Sequence, residues 1–285
     1  MDIAGRKIGP THPPLVIAEI GINHGGDLDV AKNMVRLAAL SGCEMIKHQT
    51  HIIADEMTEE AKHIFPPNAD VSIWEVMERC ALGPADEKAL KDYTQSLGMI
   101  WISTPFSRAA ADFLETLDVP AYKIGSGEVD NLPLIRHIAR KGKPVIMSTG
   151  MQTIDSIRAS VQILDEAGIE LAALALICKW DQPEETESER AAADWTIETL
   201  KLFPGAALGT VPLPDGRHDL QQRRLNLVGN INRVSERAAE AGLKCSFHPN
   251  SPPASIVRTQ YDYDVVISSL KPDVTGWTPD VGHII

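Results

Sequence analysis

The chain has 285 residues, of which 44% are hydrophobic and 23% are charged, and its formal net charge is -12. A chain of this length can bury one large core or two smaller ones, and its composition excludes a fibrous or disordered protein. The acidic balance argues against general binding to nucleic acid or to acidic lipid surfaces, although it leaves room for a local basic pocket that holds a small anion.

The cysteines and the N-terminal segment favour a reducing compartment. The four cysteines are far apart and show no CxxC spacing, which is typical of buried thiols. The first residues lack the apolar core of a signal peptide, and no later run approaches the roughly 18 apolar residues of a membrane span. We therefore expect a cytoplasmic protein that has neither a membrane nor a nucleic acid as a partner.

Nine short apolar runs alternate along the chain with longer stretches of helical periodicity. The runs lie at 15–21, 44–50, 99–105, 121–127, 144–150, 171–177, 206–211, 244–250 and 273–282. This alternation predicts repeated βα units with parallel strands, and the absence of GxGxxG after the first run favours a barrel over a dinucleotide-binding open sheet. Nine runs exceed the eight strands of a closed barrel, so one run would be a false strand, lie outside the barrel or belong to an incomplete second barrel.

The first run, VIAEIGINHGG, places Glu19 within an apolar strand that ends in a polar loop. Glu19 could be a satisfied structural acid or part of an active site, because reactive groups in such barrels sit at the C-terminal ends of the strands. Two lysines inside apolar runs, Lys47 and Lys123, favour the functional interpretation. The polar residues at the ends of the first five runs are Glu19, Asn23, His24, Lys47, His48, Gln49, Ser103, Thr104, Ser107, Arg108, Lys123, Ser126, Glu128, Ser148 and Thr149. For His48, Ser148 and Thr149 a structural role is about as well supported as a role in binding.

These residue types suit an anionic substrate. Ammonium groups, hydroxyls and glycine-flanked backbone amides bind phosphate and carboxylate groups. Glu19 and Glu128 lie on different strands and could divide acid and base roles if their environments separate their pKa values. The residues therefore predict a site that binds an anion and moves a proton.

Six ordered motifs, from about residue 5 to about residue 168, resemble the N-acetylneuraminate (sialic acid) synthase family, which condenses phosphoenolpyruvate with N-acetylmannosamine. The motifs are IAEIGINHGG, MIKHQTHIIADEM, NADVSIWEVMERCAL, ISTPFSRAAA, PAYKIGSGE and IMSTGM. The resemblance implies a TIM-type (β/α) barrel and a divalent metal, Mn²⁺ or Mg²⁺. The family's barrel is normally followed by a small antifreeze-like domain, which we do not expect here.

The same resemblance implies roles for individual residues. Glu19 is similar to the acid near the C–O cleavage site of phosphoenolpyruvate, and we expect Glu19 and Glu128 to be catalytic. The expected contacts to the phosphate and carboxylate of phosphoenolpyruvate are Lys47, Thr104, Lys123, Ser126 and Ser148. The positions that line the amino-sugar side of the family's active site correspond in this sequence to Gln49, Asn68 and Glu128. The expected partners are these two small molecules, and a homodimer is left open.

Beyond residue 168 the family's HC…YPTP, SDH and ExHF motifs, which carry its two metal-binding histidines, are missing. Three short motifs there, GIELAALALICKWDQPEE, GLKCSFHPNSPP and VTGWTPDVGHII, resemble xylose isomerase-like sugar isomerases and epimerases, including inosose dehydratase relatives. That resemblance implies Asp280, His283 and His248 as metal ligands, although each histidine could equally be an ordinary strand-end residue. We divide the chain accordingly into a synthase-like barrel half, 1–168, and an isomerase-like segment, 169–285, which would complete the same barrel or make it irregular and chimeric.

Three functions stay open on the sequence alone. The first is a condensing synthase that joins phosphoenolpyruvate to an amino sugar. The second is a metal-dependent sugar isomerase, epimerase or dehydratase that uses the second part of the chain. The third is a non-catalytic chimeric or truncated protein that keeps an anion site. The synthase is favoured because its half-site is intact and because a barrel alone does not specify a function. We expect weak synthase activity or none, and at best a weak metal site, because the replacement ligands would work only if they share a rim with Glu19 and Lys47.

Overall fold

The main feature of the fold is one parallel sheet of nine strands. The structure, a computed structural model, describes residues 2–8, 12–13, 15–66, 69–150, 152–169, 171–249 and 252–278. A short antiparallel pair, β1 (Asp2–Ile3) and β2 (Arg6–Lys7), precedes the sheet. The strands of the sheet are β3 (Ile17–Gly21), β4 (Met45–Thr50), β5 (Ile100–Pro105), β6 (Tyr122–Ile124), β7 (Val145–Met147), β8 (Leu171–Cys178), β9 (Ala207–Pro212), β10 (Lys244–Phe247) and β11 (Thr275–Trp277).

Helices connect the strands and cover the outside of the sheet. They are α1 (Leu28–Leu40), α2 (Ile53–Glu56), α3 (Ile73–Cys80), α4 (Pro84–Ser96), α5 (Arg108–Thr116), α6 (Leu132–Ala139), α7 (Ile154–Glu166), α8 (Glu187–Leu200), α9 (Leu220–Glu240) and α10 (Gln260–Ser269). Threonine capping boxes begin three of them, at Thr153, Thr186 and Thr259, and satisfy backbone N–H groups that have no partner within the helix. Within the described residues, none of the helices is both long and apolar enough to span a membrane.

The expected TIM-type fold is confirmed, in a form with nine strands. Every one of the nine apolar runs contains a strand, and neighbours in sequence are neighbours in the sheet. The alternative that one of the nine runs is a false strand is wrong, because all nine are strands of one sheet and β11 pairs in parallel with β10 over its whole length. Among the described residues β3 and β11 are not paired with each other. The sheet nevertheless curls, since Ile17 of β3 and Thr278, just after β11, line the same cavity.

Alternation along the strands separates an inner from an outer core. In β4, Ile46 packs in the large cluster between the sheet and the helices, whereas Met45 packs in a smaller cluster with Ile3, Ile102 and Ala121. Successive side chains of a strand point to opposite faces, so Lys47 and Gln49 share the inner face with Met45. The inner cluster closes one end of the barrel interior, and the polar residues lie beyond it.

Candidate functional site

A cavity of about 380 Å³ lies inside the curl of the sheet. It collects six of the residues that the sequence predicted for the site: Glu19, Lys47, Lys123, Ser126, Ser148 and His248. These residues belong to strands β3, β4 and β6 or to the segments that directly follow β6, β7 and β10. The prediction that strand ends bring distant polar residues together is therefore met for this set, while their chemical roles stay predictions.

The cavity exists because the later strands contribute small side chains. Ala175, Gly209, Ser246 and Gly276 occupy one register row across β8, β9, β10 and β11. The interior of a TIM barrel is usually filled by layers of bulky side chains. Small residues at these positions leave space opposite the charged residues of the earlier strands.

Glu19 and Lys47 form an ion pair between two neighbouring strands, β3 and β4. The sheet register places Glu19 directly beside Lys47, and the Lys47 ammonium contacts Oε2 of Glu19. The other carboxylate oxygen, Oε1, is buried and has no hydrogen-bond partner among the described residues. A buried polar atom without a partner is costly, so this oxygen is suited to a donor from water or from a substrate. An acid in an apolar strand is therefore explained by the cavity rather than by the core.

Lys123 lies deeper in the same cavity. Its Nζ donates to Oγ of Ser148 at 2.7 Å and to the backbone oxygen of Ile124 at 2.6 Å. Burial lowers the pKa of Lys123 to about 7. An anion placed beside it would favour the charged ammonium and raise that pKa again.

Gln49, Thr104 and Glu128 lie at the rim and do not line the cavity itself. Gln49 and Thr104 are register neighbours on β4 and β5. The Thr104 hydroxyl is buried and has no hydrogen-bond partner in the part of the chain that the structure describes. Glu128 ends the short 3₁₀ turn Ser126–Glu128, where the Asn131 amide donates to it at 2.8 Å. Burial raises the pKa of Glu128, and the nearby charge of Glu56 adds to this effect. The two predicted acids therefore occupy different environments, one ion-paired and one shifted towards its protonated form.

Four polar residues expected at the rim do not line the cavity: His48, Ser103, Ser107 and Thr149. His48 and Ser103 alternate with inward-facing residues, so they point towards the helices. Ser103 shares a buried hydrogen-bond chain with Thr50, which is also 2.7 Å from Glu87 of α4. Ser107 caps α5, and the Thr149 hydroxyl donates to the backbone of β8.

The predicted metal ligands are brought together only in part. His248 lines the cavity, and its backbone N–H donates to Thr210 at 2.9 Å. Asp280 and His283 lie outside the described residues, and so does the predicted sugar contact Asn68. In the part of the chain that the structure describes, no three His, Cys, Asp or Glu side chains are grouped so as to hold a metal ion. Of the three predicted ligands, the described residues thus supply one imidazole, which does not make a metal site.

One residue at the rim, His51, was not predicted from the sequence. His51 follows β4, contacts Glu56 through one ring nitrogen and Gln49 through the other, and stacks on Phe106. His51 could have been predicted from its position: it comes two residues after Gln49, on the same side of a strand that ends in polar residues.

The sequence profile of the NeuB family matches residues 34–193, more than half of the chain. The chain is 31% identical over 72% of its length to the N-acetylneuraminate-9-phosphate synthase of Mus musculus, and the match covers 57% of that protein. It is 35% identical over 55% of its length to the N,N'-diacetyllegionaminic acid synthase of Legionella pneumophila, of which the match covers 47%. The likeness to the family thus extends past residue 168, where the six motifs end.

A crystal structure of the N-acetylneuraminic acid (sialic acid) synthetase of Leptospira borgpetersenii has the same fold. It superposes with a TM-score of 0.62 at 21% identity, covering 94% of this chain and 86% of that one. The chain spans about half to three fifths of the length of the curated relatives it matches. The profile match over more than half of the sequence shows that the chain belongs to the NeuB family.

Proposed function

We propose that the chain condenses phosphoenolpyruvate with an N-acetylated amino sugar of the N-acetylmannosamine type, giving a nonulosonic acid and phosphate. The observation that carries the proposal is the cavity that gathers Lys47, Lys123, Ser126 and Ser148 around the acid Glu19. Phosphoenolpyruvate carries a phosphate and a carboxylate, and two ammonium groups with neighbouring hydroxyls match that pair of anions.

The reaction joins C3 of phosphoenolpyruvate to the aldehyde carbon of the sugar. The aldehyde oxygen takes up a proton, water adds to C2, and the C2–O bond to phosphate then breaks to leave a ketone. Glu128, whose pKa is raised by burial, is suited to give the proton to the aldehyde oxygen. The buried Oε1 of Glu19 is suited to accept a proton from the attacking water.

The binding half of this proposal is tested by calorimetry with phosphoenolpyruvate. We expect Lys47→Ala and Lys123→Ala each to weaken binding by roughly 1.5–3 kcal/mol, because each removes a charged hydrogen bond. Lys88→Ala is a matched control, since Lys88 pairs with Asp92 on the exposed face of α4. No heat with the unmodified chain, or full affinity in both cavity variants, would remove the anion site from the proposal.

The condensation itself is tested by phosphate release from phosphoenolpyruvate, N-acetylmannosamine and Mn²⁺ together. Release that requires all three components supports the synthase, and ketose–aldose exchange without phosphoenolpyruvate would support a sugar isomerase in its place. Abolition of release by Asp280→Ala would support that residue as a metal ligand. Full release by the Asp280→Ala, His283→Ala double variant would exclude both residues.

A further inference from the structure

A buried imidazole and carboxylate, those of His51 and Glu56, lie at the rim beside the cavity, and neither is a catalytic or binding residue in the chemistry proposed above. The His51 side chain has 0% of its surface exposed and the Glu56 side chain 4%. The His51 ring stacks on Phe106 with ring centroids 4.4 Å apart and planes within 16° of each other. Burial and stacking fix the plane of the ring, so the directions of its two nitrogens are fixed as well.

Both ring nitrogens of His51 face oxygen atoms. Nδ1 is 3.0 Å from each carboxylate oxygen of Glu56, and Nε2 is 3.2 Å from Oε1 of Gln49. An amide oxygen only accepts hydrogen bonds, so with Gln49 oriented as it is, Nε2 of His51 donates to its Oε1. The Glu56 carboxylate holds the other edge of the ring in place through Nδ1.

The ring therefore determines which end of the Gln49 amide faces the site. With its oxygen held by His51, the Gln49 amide nitrogen lies 3.4 Å from the point that a Cβ on Gly21 would occupy, and Oε1 of Glu19 lies 3.0 Å from the same point. Were Nε2 of His51 to lack a hydrogen, the amide would turn so that its NH₂ group donates to the ring and its oxygen faces the site.

We infer that His51 and Glu56 form a positioning pair that holds Gln49 with its NH₂ group towards the acceptor substrate. Gln49 then donates to an oxygen of that substrate, a hydroxyl or the carbonyl of an acetamido group. The inference rests on the proposed function for the identity of the substrate, whereas the positioning of Gln49 is a property of the chain alone.

The positioning is tested without any substrate by side-chain amide relaxation in the ¹⁵N-labelled chain. The Gln49 signal is assigned by its loss in Gln49→Ala. We expect an order parameter above about 0.8 in the unmodified chain and below about 0.6 in His51→Phe, which keeps the stack on Phe106 and loses both nitrogens. His63→Phe, a change at an exposed histidine nearby, should leave the signal unaltered. A Gln49 amide that stays equally ordered in His51→Phe would overturn the inference.

The effect on the substrate is tested by steady-state kinetics. In His51→Phe we expect KM for N-acetylmannosamine to rise about tenfold, with KM for phosphoenolpyruvate changed less than about twofold, because only the amino-sugar contact is misplaced. In a Gln49→Ala background the same substitution should add no further loss, since His51 acts through Gln49. Additive losses, or an equal rise in both KM values, would contradict the inference. If the unmodified chain releases no phosphate at all, the proposed function fails, and the relaxation measurement still decides the positioning.

Discussion

Lys123 is the residue whose charge depends most directly on the content of the cavity. Its pKa of about 7 in the folded chain means that most molecules lack the ammonium charge at pH 8. A bound phosphate or carboxylate favours the charged form, so binding at pH 8 requires the uptake of a proton. At pH 6 the group is already charged, and binding requires no uptake at this position.

We therefore expect phosphoenolpyruvate binding to take up close to one proton at pH 8 through Lys123, and little at pH 6. Calorimetry in two buffers of different ionisation enthalpy measures this number. Lys123→Arg is the matched control, because a guanidinium stays charged at both values of pH. The same uptake at pH 8 in Lys123→Arg would mean that another group takes the proton.

Substitution of Glu19 and substitution of Glu128 should each lower the activity, for different reasons. Glu19→Gln keeps the shape of the side chain but removes the proposed base and the ion pair with Lys47. Glu128→Gln removes the proposed proton donor, to which the Asn131 amide donates a hydrogen bond. We expect each substitution to lower kcat by about 10²–10⁴, the usual contribution of a general acid or base. Thermal unfolding of the variants is the check, because a large fall in melting temperature would make the acid structural.

At the scale of single elements, buried ion pairs anchor the second part of the chain. Asp262 near the start of α10 accepts from the backbone N–H groups of Thr259 at 2.8 Å and Arg258 at 3.0 Å, and from Arg217 at 2.9 Å. Its second oxygen accepts from Arg224 of α9. Burial alone would raise the pKa of Asp262, but these donors outweigh it and lower the pKa to about 2. The Asp262 contribution to stability is thus present above about pH 4 and is lost as the pH falls towards 2.

Asp262→Asn should accordingly destabilise the chain at pH 7 by roughly 3 kcal/mol, because it leaves two guanidinium groups without their counter-charge. The difference from the unmodified chain should shrink between pH 4 and pH 2, where Asp262 itself becomes protonated. Denaturant unfolding at a series of pH values measures both effects, and Asp264→Asn, at an exposed position of α10, is the control. A constant difference down to pH 2 would contradict the assigned cause.

The elements also explain which site residues the sequence could predict. Apolar runs separated by helical stretches located every strand of the nine-stranded sheet. Parallel strands bring their C-terminal ends to one rim, so Glu19, Lys47 and Lys123 could be placed together. A side chain one residue further along a strand points to the opposite face of the sheet. His48 and Ser103 are each next to an inward-facing residue, so they were expected at the rim but face the helices. The link between His51 and Glu56 depends on the path of the loop and helix after β4, and periodicity carries no information about such a path.

At the scale of the whole molecule, the two parts of the chain share one sheet and one cavity. The strand β7 of the first part pairs with β8 of the second, through Val145 with Leu171 and Met147 with Leu174. Close packing crosses the same boundary, because a Cβ on Gly150 would come within 2.5 Å of Ile177. The cavity has its charged residues from the first part and most of its small apolar wall from the second. The cavity is therefore complete only when both parts are folded together.

This arrangement predicts that the chain unfolds as one cooperative unit. A fragment ending at residue 168 would leave β7 as an open edge strand and expose the apolar surface that β8 covers, so we expect it to aggregate rather than fold. The full chain should show a single thermal transition by calorimetry, with equal calorimetric and van't Hoff enthalpies. Phosphoenolpyruvate at one hundred times its Kd should stabilise that whole transition by about 2.7 kcal/mol, because it binds only the folded cavity. Two resolved transitions, of which phosphoenolpyruvate shifts only one, would show that the strands after residue 168 fold separately and that the first part builds the anion site alone.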